Sequence, residues 1–440
     1  MSVPKASPSP LKAKIEPMID RALLRTDPDR VRQGAKKKKV DAPIDRALEL
    51  ISERNSLLAV LEAKKADLNR ISKSIGELIA QGKKQEAEDA KLESRSLKEN
   101  IPELEQKERD LEAELSAAEL AIPNLPHESV PDGQSEADNV VVREWGERPI
   151  HAEPPAPHWE TAERLGLVDF ARATKIAGSG YALYTGQGAR LQRALISFML
   201  DRQTLRNGYK EIYPPFVTLR DCLIGTGQLP KFEEDLYSLG DGDYLIPTAE
   251  VPVTNLYREE ILEADALTIK FAAFSGCFRK EAGAAGKDTR GIQRMHQFDK
   301  VELVKFAKPE DSYDELESLT RDAETILQDL GLHYRVSLMC PPEMTFSNAK
   351  QYDLELWAPG VGRYLEVSSC SNYEDFQSRR ANIRFRRTQG EKPEFVHTLN
   401  GSGLATPRLF AAILETFLQP DGSVTVPEPL RPYVGSDAIR

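Results

Sequence analysis

The chain has 440 residues, which is enough for two or three domains of ordinary size. Charged residues make up 29% of it, and acidic residues outnumber basic ones, so the net charge is -11. This composition is typical of a soluble globular protein, and the acidic total argues against a protein that coats nucleic acid over its whole surface. No run of about 18 apolar residues occurs, which excludes a membrane-spanning helix.

Residues 1–19 are rich in Pro, Ser and Lys and lack the apolar run of a secretory signal, so we expect a disordered extension there. The four cysteines, Cys222, Cys277, Cys340 and Cys370, lie far apart and form no C-x-x-C pair. Their spacing suggests neither a disulfide framework nor a zinc site. It favours a reducing compartment, and we expect a cytoplasmic protein without zinc.

Residues 20–125 are dense in Glu, Lys, Leu and Ala, a composition typical of long helices. Two narrow apolar stripes recur at heptad spacing on either side of a break at Gln81-Gly82; they consist of Leu58, Leu61, Leu68, Ile71, Ile75 and Leu78, and of Leu97, Ile101, Leu104, Leu111 and Leu115. The pattern predicts an antiparallel helical hairpin, a coiled coil, with a bend at Pro102. Heptads alone leave open whether such a hairpin is a binding arm, a spacer or a dimerisation element.

The run of four lysines at 36–39 is either a solvated loop or a contact for phosphate groups. Residues 126–160 are rich in Pro, Asp, Glu and Gly, which predicts a linker. Over residues 161–440, short strand-like apolar runs alternate with helical patterns. That alternation predicts a mixed domain, so the chain as a whole is α+β.

Two stretches of this domain place polar residues where a core would have apolar ones. In the first, Thr248 and Glu250 stand between a strand-like and a helix-like run, where they could receive an amine or merely cap the helix. The second predicts a strand, a Gly-rich basic loop and a returning strand. Arg279 and Arg294 would bracket an anion, and Phe298 would stack on a base. Because side chains alternate along a strand with a period of two, Glu302 would point into the same cleft as Phe298. The alternative is a surface hairpin with scattered ion pairs.

Two further stretches follow. Glu366 and Ser368 share one face of a predicted strand, with Ser369 next, and such oxygen ligands suit Mg²⁺ with a nucleotide; serines on an exposed face are the alternative. Over residues 399–415 a Gly turn leads into an apolar helix with one early cation, Arg408, which is a candidate third phosphate ligand. The chain has neither a P-loop nor a G-x-G-x-x-G motif.

These motifs resemble those of the bacterial-type seryl-tRNA synthetases, which are class II aminoacyl-tRNA synthetases. The resemblance covers roughly residues 20–440 and rests on 245–252, 278–302, 366–372 and 398–405. It implies a tRNA-binding hairpin followed by a class II catalytic domain, in which helices flank a mixed, mainly antiparallel sheet. Gly208-Tyr209 with Pro214-Pro215 is similar to the first class II motif, which builds the homodimer interface in the family.

The resemblance also implies roles for individual residues. The catalytic residues would be Arg279, Glu281, Arg294 and Arg408. Serine would be bound by Thr248, Ala249, Glu250, Glu302 and Ser402. ATP would be bound by Arg279, Lys280, Glu281, Phe298, Glu366, Val367, Ser368, Ser369 and Arg408. Mg²⁺ would be held by Glu366 and Ser369.

The implied reaction joins L-serine to ATP as seryl-adenylate and then transfers serine to the 3′ end of tRNA(Ser), with tRNA(Sec) left open as a second substrate. In the family the hairpin reaches the long variable arm of the tRNA, and the basic residues that fit this role are Lys64, Lys65, Arg70, Lys73, Lys83 and Lys84. Two features depart from the family pattern: Pro102, and Thr406-Pro407 before Arg408. Because proline is tolerated in a first helical turn, we expect Arg408 to keep its place.

Two alternatives remain at this point. A catalytically inactive tRNA-binding paralogue would have gaps among the charged residues of the site, and none is missing. An amino-acid ligase that acts on a carrier protein would lack the helical hairpin, which this chain has.

Overall fold

The computed structural model describes residues 20–149, 153–281 and 290–440. The described chain forms two compact units: the first runs as far as Lys36 and continues over Val40–Pro123, and the second comprises Lys37–Lys39 and Asn124–Arg440. The extension expected at 1–19 and the outer part of the Gly-rich loop, 282–289, lie outside the described residues. Within the described part of the chain, no helix is both long and apolar enough to cross a bilayer.

The helices are α1 (Arg21–Thr26), α2 (Pro28–Lys37), α3 (Ile44–Ala80), α4 (Lys84–Leu120), α5 (His158–Arg164), α6 (Phe170–Ala177), α7 (Gly186–Leu205), α8 (Arg220–Thr226), α9 (Glu250–Thr254), α10 (Ser312–Asp329), α11 (Phe376–Ala381), α12 (Thr406–Thr416) and α13 (Arg431–Val434). The strands are β1 (Val140–Trp145), β2 (Lys210–Ile212), β3 (Val217–Leu219), β4 (Ser238–Gly240), β5 (Asp243–Leu245), β6 (Ile261–Glu263), β7 (Ile269–Phe278), β8 (Gln297–Ala307), β9 (Tyr334–Leu338), β10 (Lys350–Ala358), β11 (Arg363–Asn372), β12 (Arg384–Arg386), β13 (Glu394–Phe395), β14 (His397–Ala405), β15 (Val424–Thr425) and β16 (Ala438–Ile439).

Helices α3 and α4 form the predicted antiparallel hairpin, with a turn in which Gly82 adopts a φ of +70°. Every residue of the two apolar stripes is buried or half-buried, as a seam between two helices requires. Ion pairs cross the seam in antiparallel order: Arg46 with Glu114, Arg54 with Glu108, and Lys65 with Glu105. The heptad prediction is therefore confirmed.

Helix α4 runs without interruption through Pro102, whose ring is exposed while the preceding Ile101 is buried. Proline removes one backbone donor from the helical ladder, and an exposed site leaves the freed carbonyl accessible to water. Pro102 is therefore accommodated inside the second arm, and a bend there stays a prediction.

The second unit is built on an eight-stranded sheet in the order β1-β9-β10-β11-β14-β8-β7-β2. All neighbours are antiparallel except β2 and β7, so the sheet is mixed and mainly antiparallel, as the resemblance implied. Residues of helices α7, α10 and α12 share the main apolar core with the sheet. The central strands β8, β11 and β14 are long and buried, which gives the polar side chains at their ends a rigid support.

The linker expected over 126–160 is wrong in part, because this stretch contributes structure to the second unit. Strand β1 pairs with β9 at the sheet edge, for example Val141 with Ser337, and helix α5 begins at His158. Most β1 side chains are exposed, as is common for an edge strand, so the local sequence lacks the apolar signal of a core strand.

Within the lysine run, Lys36, Lys37 and Lys39 are exposed, but Lys38 differs from the expectation of a solvated or phosphate-binding segment. Lys38 is 6% exposed, and its ammonium donates hydrogen bonds to the carbonyl oxygens of Thr345 (2.8 Å), Phe346 (3.3 Å) and Asn348 (2.5 Å). Burial, with a contribution from nearby Lys231, lowers the pKa of this amine. Lys38 is thus a structural residue of the second unit rather than a phosphate ligand.

Candidate active site

Two neighbouring cavities of the second unit share three charged residues, Arg279, Glu281 and Arg294. The smaller, of about 170 Å³, is also lined by Phe298, Lys300, Glu366, Val367, Ser402 and Arg408. The larger, of about 510 Å³, is also lined by Thr248, Glu250, Gln228, Asp235 and Thr345. An aromatic ring among arginines suits a nucleotide, and a hydroxyl beside a carboxylate suits a small amine. The two compartments meet at the shared charges.

The pairing of β7 with β8 fixes Arg279 at the mouth of the smaller cavity. Cys277 lies opposite Phe298 in this antiparallel pair, so the chain leaves the sheet at Arg279. The backbone N–H of Arg279 donates to the carbonyl of His296 (2.9 Å), and its Nε donates to the carbonyl of Pro247 (3.3 Å). The guanidinium carbon then lies 5.2 Å from the centre of the Phe298 ring. The predicted pairing of an Arg with a stacking ring is therefore present.

Glu281 and Arg294 stand on the two sides of the loop and form an ion pair. Glu281 adopts a φ of 52°, a left-handed conformation that a non-glycine residue rarely takes without a local constraint. Arg294 remains partly accessible, with 35% of its side chain exposed. Its guanidinium therefore keeps contact with both the carboxylate and the cavities.

Glu302 is fully buried and lines neither cavity, but it contacts Thr248, which lines the larger one. Its carboxylate accepts hydrogen bonds from the hydroxyl of Thr248 (3.0 Å) and the amide of Asn400 (3.1 Å), and it forms an ion pair with Lys300. Lys300 also donates to the Thr248 hydroxyl (2.9 Å). The sequence-based site did not include Lys300 or Asn400. Lys300 could have been found from the period of two along β8, because it stands two residues before Glu302 on the same side.

Glu250 is the second carboxylate of this compartment. It accepts a hydrogen bond from the amide of Gln377 (2.7 Å), whose own oxygen accepts from the Thr398 hydroxyl (2.7 Å). Burial, reinforced by the nearby charge of Glu302, raises the pKa of Glu250 to about 7. Gln377 was not predicted, because it comes from a helix that is distant in sequence.

On β11, the serine that faces Glu366 is not the one expected. Val367 forms a bulge, because Glu366 lies opposite Glu355 and Ser368 lies opposite Leu354. The extra residue brings Ser369 onto the face of Glu366, where its hydroxyl donates to the carboxylate (3.1 Å). The expectation that Glu366 and Ser368 share a face is therefore wrong, and the pairing of Glu366 with Ser369 is present.

A third oxygen donor that the sequence analysis missed adjoins this pair. Asp353 on β10 lies directly opposite Ser369 and is 6% exposed. Burial, followed by the negative charge of Glu366, raises the pKa of Asp353 well above its ordinary value. Two carboxylates and a hydroxyl thus converge here, which is a donor set that suits a hard divalent cation.

Arg408 reaches the smaller cavity from helix α12. The helix begins at Thr406 with Pro407 in its first turn, where a missing N–H costs no hydrogen bond. The guanidinium of Arg408 donates to the carbonyl of Gln293 (3.4 Å) and lies 3.5 Å from the Glu366 carboxylate. Arg408 therefore lines the smaller cavity despite the departure at Thr406-Pro407, and its role as a phosphate ligand stays a prediction.

Five of the predicted residues are not among those that line the cavities: Ala249, Lys280, Glu302, Ser368 and Ser369. Ala249 is buried in an apolar cluster, and the amine of Lys280 lies 5.8 Å from the ring centre of Tyr237. The hydroxyl of Ser368 donates to the backbone carbonyl of Ser402 (2.7 Å) on the neighbouring strand. The side chains of Ala249, Lys280 and Ser368 are placed to support the site rather than to line it.

Comparisons with known proteins show the family of this chain. The model of the seryl-tRNA synthetase N-terminal domain matches residues 18–126, and the class II core domain of the synthetases for G, H, P, S and T matches residues 232–417. A serine–tRNA ligase of Geobacillus kaustophilus is 57% identical over 96% of this chain and 100% of its own length. The chain belongs to the seryl-tRNA synthetase family. A second family member, from Carboxydothermus hydrogenoformans, is 54% identical over 96% of this chain and 99% of its own.

Solved structures of seryl-tRNA synthetases share the fold. The enzyme of Pyrococcus horikoshii, solved with ATP, matches with a TM-score of 0.89 and 36% identity over 96% of this chain and 99% of its own. The cytoplasmic enzyme of Naegleria fowleri, solved with AMP, matches with a TM-score of 0.83 and 29% identity over 97% and 98% of the two chains. Both matches extend over the hairpin as well as the sheet, so the family resemblance covers the whole architecture.

Proposed function

We propose that this chain activates L-serine with ATP and transfers the seryl group to the 3′ end of tRNA(Ser). The observation that carries the proposal is the pair of adjoining cavities that share Arg279, Glu281 and Arg294. A reaction between two small substrates requires that their reacting atoms meet, and the shared charges lie where the compartments join. The ATP-bound and AMP-bound family structures support a nucleotide as one of the two substrates.

In the first step, a carboxylate oxygen of serine attacks the α-phosphorus of ATP. The bond from that phosphorus to the bridging oxygen breaks, and pyrophosphate leaves. No protein nucleophile is needed, so the chain contributes positioning and charge stabilisation. Arg279 would hold the α-phosphate, Arg294 and Arg408 the outer phosphates, and Phe298 the adenine, while Glu281 would help to hold ATP and orient Arg294. In the second step, a terminal ribose hydroxyl of the tRNA attacks the seryl carbonyl carbon and AMP leaves.

Serine would occupy the larger cavity. Glu250 would bind the amine, and the network of Glu302, Thr248 and Asn400 would present hydrogen-bonding groups to the hydroxyl, with Ser402 beside them on β14. A site built to hydrogen-bond a hydroxyl rejects an analogue without one far better than an apolar pocket does, because its polar groups would be left unpaired. Alanine is therefore the informative competitor.

The residues on β11 fit a magnesium ion. Glu366 and Ser369 would hold Mg²⁺, and Glu366 and Val367 line the smaller cavity, where ATP would bind. When bound, the ion would neutralise charge on the phosphates of ATP. Asp353, buried opposite Ser369, would lie close to the ion.

The hairpin would bind the tRNA. Its exposed basic residues, Lys73 and Lys84 among them, would contact the phosphate backbone, while the long helices supply reach. The family model of the synthetase N-terminal domain over this region supports the assignment. The presence of the hairpin argues against a ligase that acts on a carrier protein. The complete set of charged residues in the site argues against an inactive paralogue.

A homodimer completes the proposal. The parallel strand β2 ends the sheet, and the large side chain of Tyr213, which directly follows it, is 73% exposed. Exposed apolar groups at a sheet edge favour association with a second copy. Sedimentation equilibrium should give twice the mass of one chain.

The test of the function is aminoacylation of tRNA(Ser) by the full chain with serine, threonine and alanine supplied separately. We expect charging with serine and at least about 10³-fold lower efficiency with alanine. Efficient charging with alanine, or none with serine, would contradict the proposal. A parallel reaction with tRNA(Sec) determines whether that tRNA is a second substrate.

A further inference from the structure

A buried histidine and glutamate lie outside both cavities, yet they contact the segment that enters them. His158, at the start of α5, and Glu415, near the end of α12, are each 0% exposed. The Nδ1 of His158 lies 2.8 Å from a carboxylate oxygen of Glu415, and the backbone N–H of His158 donates to the same oxygen (3.0 Å). The other carboxylate oxygen accepts from the backbone N–H of Gly360 (2.9 Å).

The carboxylate selects the tautomer of the imidazole. An ionised carboxylate only accepts hydrogen bonds, so Nδ1 of His158 carries the proton that it donates to Glu415. The remaining nitrogen, Nε2, is then an acceptor, and the backbone N–H of Ile292 donates to it (3.3 Å). The histidine therefore links a carboxylate on α12 to the backbone N–H of Ile292, in the loop that precedes β8.

The neighbouring residues match this contact in shape. Gly291 adopts a φ of +75°, and a Cβ at this position would stand 2.3 Å from Nε2 of His158. The next residue in the helix, Trp159, lies under the guanidinium of Arg290, whose carbon is 4.9 Å from the ring centre. Three consecutive residues of the loop that precedes β8 thus rest on two consecutive residues of α5.

The contact bears directly on the nucleotide compartment. Ile292 is followed by Gln293 and Arg294, and all three line the smaller cavity. Helix α12 holds this segment at two nearby peptide groups: Arg408 donates to the carbonyl of Gln293, and Glu415 acts on the N–H of Ile292 through His158. We propose that His158, oriented by Glu415, is a positioning residue that fixes the ATP-facing segment 291–294. The inference rests on the proposed function, because it assigns the segment to ATP.

Two near-isosteric substitutions separate the two contacts of the ring. His158→Asn places an amide donor where Nδ1 faces Glu415 but leaves no acceptor for Ile292. His158→Gln extends an oxygen to the place of Nε2 but loses the donor to Glu415. His397→Asn is the matched control, because His397 is a largely buried histidine of the same unit whose Nδ1 hydrogen-bonds Ser312 (2.8 Å). Each full-length variant is assayed by serine-dependent ATP–pyrophosphate exchange and by amide hydrogen exchange of the peptide that contains Ile292.

We expect His158→Asn to raise the KM for ATP by about tenfold, with the KM for serine within about twofold of the wild type, and to speed amide exchange at Ile292. His158→Gln should stay within about threefold of the wild type for ATP, and His397→Asn should be unchanged. An unchanged KM for ATP in His158→Asn, or an equal rise in all three variants, would overturn the inference. Absence of ATP–pyrophosphate exchange in the wild type would instead contradict the proposed function. In that case amide hydrogen exchange would still test the positioning contact. Unaltered protection of the Ile292 amide in His158→Asn would overturn the inference.

Discussion

The hairpin and the sheet of this protein use charge in opposite ways. The ion pairs of the hairpin, such as Lys65 with Glu105, are between partly or largely exposed side chains. The charges of the sheet, such as Lys300 with Glu302, are buried and hydrogen-bonded to further polar groups. Exposed pairs contribute about 0–1 kcal/mol each, whereas removal of one partner from a buried pair costs about 3–5 kcal/mol. Charge on the hairpin is therefore replaceable one residue at a time, whereas charge in the site is not.

The largest expected loss of activity follows the removal of a charge that both cavities share. Arg279→Ala should lower serine-dependent ATP–pyrophosphate exchange by at least about 10³-fold, because the guanidinium stabilises charge that develops on the phosphate. The fold should persist, since Arg279 is not part of the apolar core. Arg387→Ala is the control, because this arginine pairs with Glu310 and Glu394 at the surface of the same unit. Near-normal exchange in Arg279→Ala would contradict the assignment.

The stability of the two regions offers a second comparison. Lys300→Met leaves Glu302 buried without its cation and should lower the free energy of unfolding of the second unit by about 3–5 kcal/mol. Lys65→Met makes the same chemical change on the hairpin and should cost less than about 1 kcal/mol. Urea denaturation followed by tryptophan fluorescence reports on the second unit, and far-ultraviolet circular dichroism reports on the hairpin. Equal losses in the two variants would show that burial does not separate the regions.

The pH dependence of serine use tests the role of a buried charge in the site. The pKa of Glu250 is raised to about 7, so this carboxylate gains a proton as the pH falls through that value and can no longer pair with an amine. We expect kcat/KM for serine to fall about tenfold between about pH 8 and about pH 6, while the KM for ATP changes little. A flat serine profile over this range would contradict the role of Glu250.

The smallest expected effect lies on the hairpin. Lys73→Glu should raise the KM for tRNA by about fivefold at low salt, and less at high salt, because one phosphate contact is replaced by repulsion. Exchange of pyrophosphate should not change. Lys392→Glu makes the same charge change at an exposed position of the second unit and should leave the KM for tRNA unaltered. An equal effect of both variants would show that net charge, rather than the hairpin surface, governs tRNA binding.

The two regions also differ in how far the sequence predicts them. The hairpin seam followed directly from the heptads, because burial along a helix repeats with the local period, as Leu61 and Ile71 illustrate. Arg279 and Phe298 do line one cavity, as the predicted strand pair implied, whereas Glu302 is buried behind the lining and its role stays a prediction. What the sequence could not show depends on distant partners. The bulge at Val367 arises from the pairing with β10, and the burial of Lys38 depends on carbonyl groups of residues 345–348.

A variant in which a short Gly-Ser linker replaces residues 55–110 tests most directly whether the hairpin binds tRNA while the second unit activates serine. The deletion removes most of α3 and α4, which belong to the first unit, and spares every residue that lines the two cavities. Serine-dependent ATP–pyrophosphate exchange and charging of tRNA(Ser) are then measured on the same preparation. We predict exchange within about twofold of the full chain and charging reduced by at least about 10²-fold. Charging at the rate of the full chain, or loss of exchange together with charging, would contradict the account.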